Sequence, residues 1–253
     1  MASDDIRTGA GEAGVPPGGT ADPGGRGQPR AGGHAGPPLW PLALVSLVLF
    51  LAGIVISVAL TGSAQPSPYD SGHTIQRYLD HEHARLALEL TAFFAFGSSV
   101  PLGLYTATVH SRLHHLGIRA AGATIALYGG LGASAMVAFS GLLSWVLSRG
   151  EVRTDLPVAR TVQDLGYVVG GPGFTVLLGL LIAGIAVPAL LARLVPAWLA
   201  WTGLVIAALS ELATFSLLFA AVTPLIAIGR FAGLVWLIAA GALLPRSRRR
   251  RGA

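Results

Sequence analysis

Between residues 197 and 245 two apolar stretches follow one another, and within them only Glu211 and Arg230 carry charge. A charge in hydrocarbon is costly unless it is paired or faces a wet interior, so these two side chains are the first candidates for chemistry. Thr223-Pro224 punctuates the run, with Thr as an N-cap and Pro at the first helical position, and predicts a helical hairpin that turns there. Counted from that turn at helical rise, Glu211 and Arg230 fall roughly 15 Å and 9 Å below one membrane face. The spacing predicts a Glu211–Arg230 ion pair. Glu89, and Asp164 at the rim, fall at similar depth on other spans, with Arg85 (i,i−4 to Glu89) and Tyr167 beside them. Together Glu89, Glu211, Arg230 and Asp164 predict an intramembrane polar site in which a carboxyl exchanges a proton and Arg230 attracts an anion. The competing reading is a salt-bridge network that only fixes helix register. Two Gly/Pro interruptions, Gly97 to Gly103 (GSSVPLG) and Gly170 to Gly173 (GGPG), favour the cavity, because broken spans flank transporter sites.

Other constellations carry less. His81-Glu82-His83 has zinc-ligand residue types, but residues two apart on a helix diverge and no third ligand follows at helical spacing. His110 and His114 share a face without an acidic partner close in sequence, which predicts a solvated loop. Gly132-Ala133-Ser134 resembles the nucleophile motif of rhomboid proteases, yet no His follows His115 to serve as base. Haem would need His within the spans, and the last four hold none. No catalytic residue, metal or cofactor is expected.

These groups require elements to hold them, and composition fixes the kind. Hydrophobic residues make up 53% of the 253 and charged residues 11%, which places the chain in the membrane class. There is no Cys, and all 17 basic residues are Arg, in keeping with a high-GC genome of actinobacterial type. Residues 1–38 hold 11 Gly and six Pro, too little apolar surface to offset ordering entropy, and are expected to be a disordered cytoplasmic tail. The domain at 39–245 is expected to be an all-α bundle of six spans. The first, Trp40 to Gly62, is long for a signal peptide and is read as an uncleaved anchor. A second helix is expected from Thr74 to about Val109, with no breaker before Pro101 and an interruption at GSSVPLG, carrying Glu82, Arg85, Glu89, Phe96, Ser99 and Gly103 on one bundle-facing stripe. His110 to Arg119 reads as a short basic loop. The third span, Ala121 to Ser148, contains the small-residue pairs Gly129/Ala133 and Gly130/Ser134, which let helices approach closely. The fourth runs from Thr161 to Arg193 and breaks at GGPG. A basic tail, 246–253, ends the chain.

Counting Arg over loops and tails puts the larger share on the face of the two termini. That predicts a multi-pass plasma-membrane protein with both termini cytoplasmic. The expected partners are the bilayer and, at the C-terminal Arg cluster, anionic lipid; nucleic acid is not expected. LELTAFFAFGSSVPLGLYTA, GGPGFTVLLGLLIAGI and GRFAGLVWLIAAGALLP resemble segments of uncharacterised actinobacterial integral membrane proteins built on a domain of unknown function, over roughly residues 40–245. The resemblance implies a six-helix membrane fold and supplies no catalytic residues. Together these readings predict a small permease or channel-like protein with an outward-facing polar site, the alternative being a membrane scaffold or regulatory subunit whose buried charges are structural.

Overall fold

The computed structural model describes residues 38–118 and 121–245. The Gly/Pro-rich tail up to residue 37 and the terminal Arg cluster lie outside the described residues. Among the described residues there is helix and turn but no strand: α1 (Leu39–Thr61), α2 (Gly72–Leu79), α3 (Ala84–His115), α4 (Ala121–Leu147), α5 (Gly150–Thr154), α6 (Leu156–Val168), α7 (Phe174–Leu191), α8 (Ala197–Leu212) and α9 (Pro224–Leu243). A π-helical turn, Val169–Gly173, joins α6 to α7, so these form one segment, Leu156–Leu191. With α1, α3, α4, Ala197–Leu217 and Ala220–Leu243 it gives six segments long and apolar enough to cross a membrane. The protein is an all-α, six-span membrane bundle. Residues 62–83, 148–155 and 213–223 lie at its cap face; the ends of α3 and α7 and the starts of α4 and α8 lie at its tail face.

Lipid is as apolar as leucine, so packing and hydrogen bonds, not exclusion of water, hold such helices together. α4 sits between α3 and α7 because its small residues face both. A β-carbon at Gly129 would lie 2.6 Å from the Leu181 nitrogen and 2.7 Å from the Leu177 oxygen of α7. Ser134 Oγ, one turn beyond Gly130, donates to the Ser99 carbonyl of α3 at 2.7 Å. The two small-residue pairs therefore serve two different neighbours. α1 is an integral wall of the bundle: Gly53 meets Phe94 of α3, Gly241 of α9 meets the backbone at Leu39 and Trp40, and Ser46 Oγ donates to the Ser98 carbonyl at 2.9 Å.

Several expectations need correction. The helix expected from Thr74 to Val109 is two helices, parted at Asp80–His83. Ile75, Tyr78 and Leu79 of α2 pack on Leu88, Leu147 and Ala159 at the ends of three other helices, and the chain must turn there to enter the membrane. Pro101 does not interrupt α3; the carbonyls of Ser98 and Ser99 in the turn before it accept from Ser46 and Ser134. α3 also continues to His115, through residues read as a loop, and ends only at Gly117, whose φ of 77° suits glycine. His110 Nδ1 lies 2.9 Å from the Ala123 carbonyl, in hydrogen-bond contact with α4. GGPG is not a break but the π-helical turn.

Candidate functional site

Pro172 has no N–H to give, and glycines on both sides tolerate the widened ladder. A π-helical turn leaves carbonyls without their usual α-helical partners. One of these, Gly170 O, accepts from the Arg230 guanidinium. Arg230 also stacks over two aromatic faces, its Cζ 5.1 Å from the Phe50 ring centroid and 5.5 Å from that of Phe174. Cation–π contact and a charge-assisted hydrogen bond stabilise a guanidinium that water does not reach freely. Its Nε is shut off from solvent without a hydrogen-bond partner. Among the described residues no carboxylate lies within ion-pair distance of it.

Arg230 lines a cavity of about 420 Å³ in the cap half of the bundle, walled by α1, α3, α4, α6, the π-helical turn and α9. Phe50, Ala95, Val137 and Arg230 lie at its deep end, and Ala64 to Ser67 at its upper end. The upper lining at Val58, Ala64 and Gln65 is exposed at the cap face. Hydroxyls of Ser57, Thr91, Ser140, Ser144 and Tyr167 and the amide of Gln163 are among the other polar groups set between apolar walls. Arg230 is the one charged side chain in that lining, among the described residues.

The segment between α1 and α2 crosses the cap face and is fastened on its far side. Gln163 Nε2 donates to the Pro66 carbonyl at 2.6 Å, and Tyr69 OH to the Ser216 carbonyl at 2.6 Å. The Tyr69 ring meets Tyr167 edge-on, centroids 6.2 Å apart. Below it, Tyr78 OH lies 3.2 Å from Ser57 Oγ; burial of Tyr78 pushes its hydroxyl pKa up.

The structure separates the four charges that the sequence brings together. Arg230 lies in the cavity, with Tyr167 alongside, its hydroxyl 3.4 Å from Thr223 Oγ1. Glu211 does not pair with Arg230. α8 ends at Leu212 and the chain continues as 3₁₀ turns, Ala213–Leu217 and Ala220–Val222; Ser210 packs on Gly229, so the two charged residues sit at neighbouring levels and their side chains leave in different directions. Glu211 is exposed, and its Oε1 comes within 3.3 Å of where a β-carbon would sit on Gly179. Gly179 is nine residues beyond the carbonyl that holds Arg230, about 13 Å along that span.

Glu89 also lies outside the cavity. Its Oε1 accepts from Arg85 Nε at 3.0 Å and from Arg149 at 2.8 Å, and Arg149 stacks on Trp145. The cluster joins the cap ends of α3 and α4, partly open to solvent. Exposed pairs contribute little, so Glu89→Gln is expected to cost less than about 1 kcal/mol, read as thermal unfolding in micelles. Asp164 does not line the cavity either; its Oδ1 is buried without a hydrogen-bond partner. Of the stripe expected on α3, Arg85 and Phe96 are exposed while Ser99 is buried, so the stripe does not face the bundle as a unit. His81 and His83 are exposed where α2 meets α3.

Gln163, Ser57, Thr91 and Ser140 are not singled out by charge or spacing. Gln163 carries a signal that could have found it: it is the one side-chain amide in the six spans. No family model, curated protein or solved structure matches the chain.

Proposed function

We propose that the protein is a small permease or channel-like protein of the plasma membrane, its termini cytoplasmic and its cavity open to the outside. The observation that carries this reading is the cavity of about 420 Å³ with Arg230 in its wall, a volume and a mixed lining suited to a small solute. An intramembrane cation without a carboxylate partner marks a solute path more often than a packing contact. The orientation rests on the Arg distribution. In the sequence, Arg7, Arg26, Arg30, Arg112, Arg119, Arg193 and five C-terminal Arg fall in the termini and the two connections on their side, against Arg77, Arg85, Arg149, Arg153 and Arg160 on the other, with Arg230 inside a span. Glu89, Glu211 and Asp164 are not part of that lining. The scaffold alternative draws support from Glu89, Arg85 and Arg149, whose ion pairs join α3 to α4 and touch no cavity.

The chain has no Cys, so single thiols report without background. Ser144→Cys should react with a membrane-impermeant thiol reagent applied from outside, and Ser46→Cys, packed against α3, should not. Proteoliposomes should pass small solutes at a rate that this modification cuts several-fold. An unreactive thiol in Ser144→Cys together with impermeable liposomes would leave the scaffold reading.

A further inference from the structure

We infer that the solute is a monovalent organic anion, a carboxylate on a small apolar body, with its charge held at the deep end of the cavity by Arg230. This deepens the permease reading and rests on it. Arg230 is the one charged group lining the cavity among the described residues, so the wall favours one negative charge and repels a cation. A multivalent anion would bring charge that nothing there neutralises.

The donor geometry agrees. Gly170 O takes a terminal nitrogen of the guanidinium, while Nε, buried in the same wall, has no acceptor. Nε being closed off in the wall, the other terminal nitrogen is left to meet an arriving carboxylate oxygen, and a guanidinium matches a carboxylate better than any other side chain does. Because Gly170 and the rings of Phe50 and Phe174 hold the guanidinium without any acid, an arriving anion need not displace a resident carboxylate.

Size and walls point to an organic body. A water molecule occupies about 30 Å³ of liquid, so a cavity of about 420 Å³ has room for a body much larger than a lone halide. Between its hydroxyls the wall above Arg230 is apolar at Ile54, Val58 and Ile226. Those side chains suit a short hydrocarbon or a single ring, which a hydrated inorganic ion would not use.

The test uses the purified full chain in detergent micelles, with thermal unfolding followed by tryptophan fluorescence. The probes are sodium benzoate, benzamide as its neutral counterpart, and sodium chloride, at equal concentration. Benzoate should raise the midpoint, as a ligand that binds the folded state does, and benzamide and chloride should not. Arg230→Gln should weaken the benzoate response at least about tenfold, and Arg230→Lys should keep part of it. Since Arg230→Gln also disturbs the Gly170 contact, a second measurement keeps Arg230 in place. At Ser144→Cys a sulfonate-bearing methanethiosulfonate should react about tenfold faster than a trimethylammonium-bearing one, and benzoate should slow both. Equal stabilisation by benzamide or chloride, an unchanged response in Arg230→Gln, or faster reaction of the cationic reagent would overturn the assignment. Reaction of the Ser144→Cys thiol without any effect of benzoate sinks the solute class alone. Reaction with neither reagent sinks the permease reading and this inference with it.

Discussion

Replacing Gly129 with leucine should leave little folded protein. The backbones of α4 and α7 touch at this point: a β-carbon on Gly129 would sit 2.6 Å from a backbone nitrogen and 2.7 Å from a backbone oxygen. Neither atom belongs to a flexible side chain that could swing aside. The same two helices meet again at Gly184, where a β-carbon would lie 2.7 Å from Ala126 Cα and from the Gly122 carbonyl. The contact is thus a seam of several turns, and one large side chain forces it open. Overpacking costs typically about 1–3 kcal/mol where side chains can adjust. Here the helices themselves must part, so a loss above about 3 kcal/mol is expected for leucine and about 1–3 kcal/mol for alanine. Denaturant titration in micelles and elution as a single monodisperse species would read this. Wild-type behaviour of Gly129→Leu would mean that α4 and α7 are not in backbone contact.

Exchanging Glu211 and Arg230 should not rescue what reversing Arg230 alone destroys. Arg230→Glu removes the donor to Gly170 O, loses two aromatic contacts and sets a carboxylate against a carbonyl. Breaking a buried charged contact in this way costs about 3–5 kcal/mol. If the two residues were partners, adding Glu211→Arg would restore an ion pair of opposite sense. They are held by different parts of the α6–α7 span, one beside Gly179 and the other beside Gly170. The coupling energy in the double-mutant cycle should therefore stay within about 0.5 kcal/mol of zero. A coupling of about 1 kcal/mol or more in the rescuing direction would restore the ion pair that the sequence suggests.

The six spans were legible because length and hydropathy leave little else for such segments to be. Pro224 at the first position of α9 and the small-residue pairs of α4 were legible too, each resting on local chemistry that tertiary structure did not overrule. The direction of Glu211 was not. It depended on the residues from Ala213 to Val222, which are apolar enough to read as helix yet run as 3₁₀ turns, changing the rotation of α8 against α9. The partner of Arg230 was hidden for another reason: a backbone carbonyl has no letter in the sequence, and Gly170 O becomes an acceptor only once the π-helical turn forms around Pro172. Arg149 met Glu89 across 60 residues, a pairing that follows from α3 and α4 being neighbours and from nothing near either residue.

That π-helical turn has a consequence beyond Arg230. It feeds a surplus residue into a span that otherwise advances by about 100° per residue, and so sets the angular phase of α7 against α6. Gly179 and Gly184 meet α8 and α4 only in that phase. Shortening GGPG by one glycine would keep every apolar side chain and the length needed to cross the bilayer, yet turn both glycines about a quarter of the way round. The motif works as a vernier between the half of the span that lines the cavity and the half that anchors the bundle.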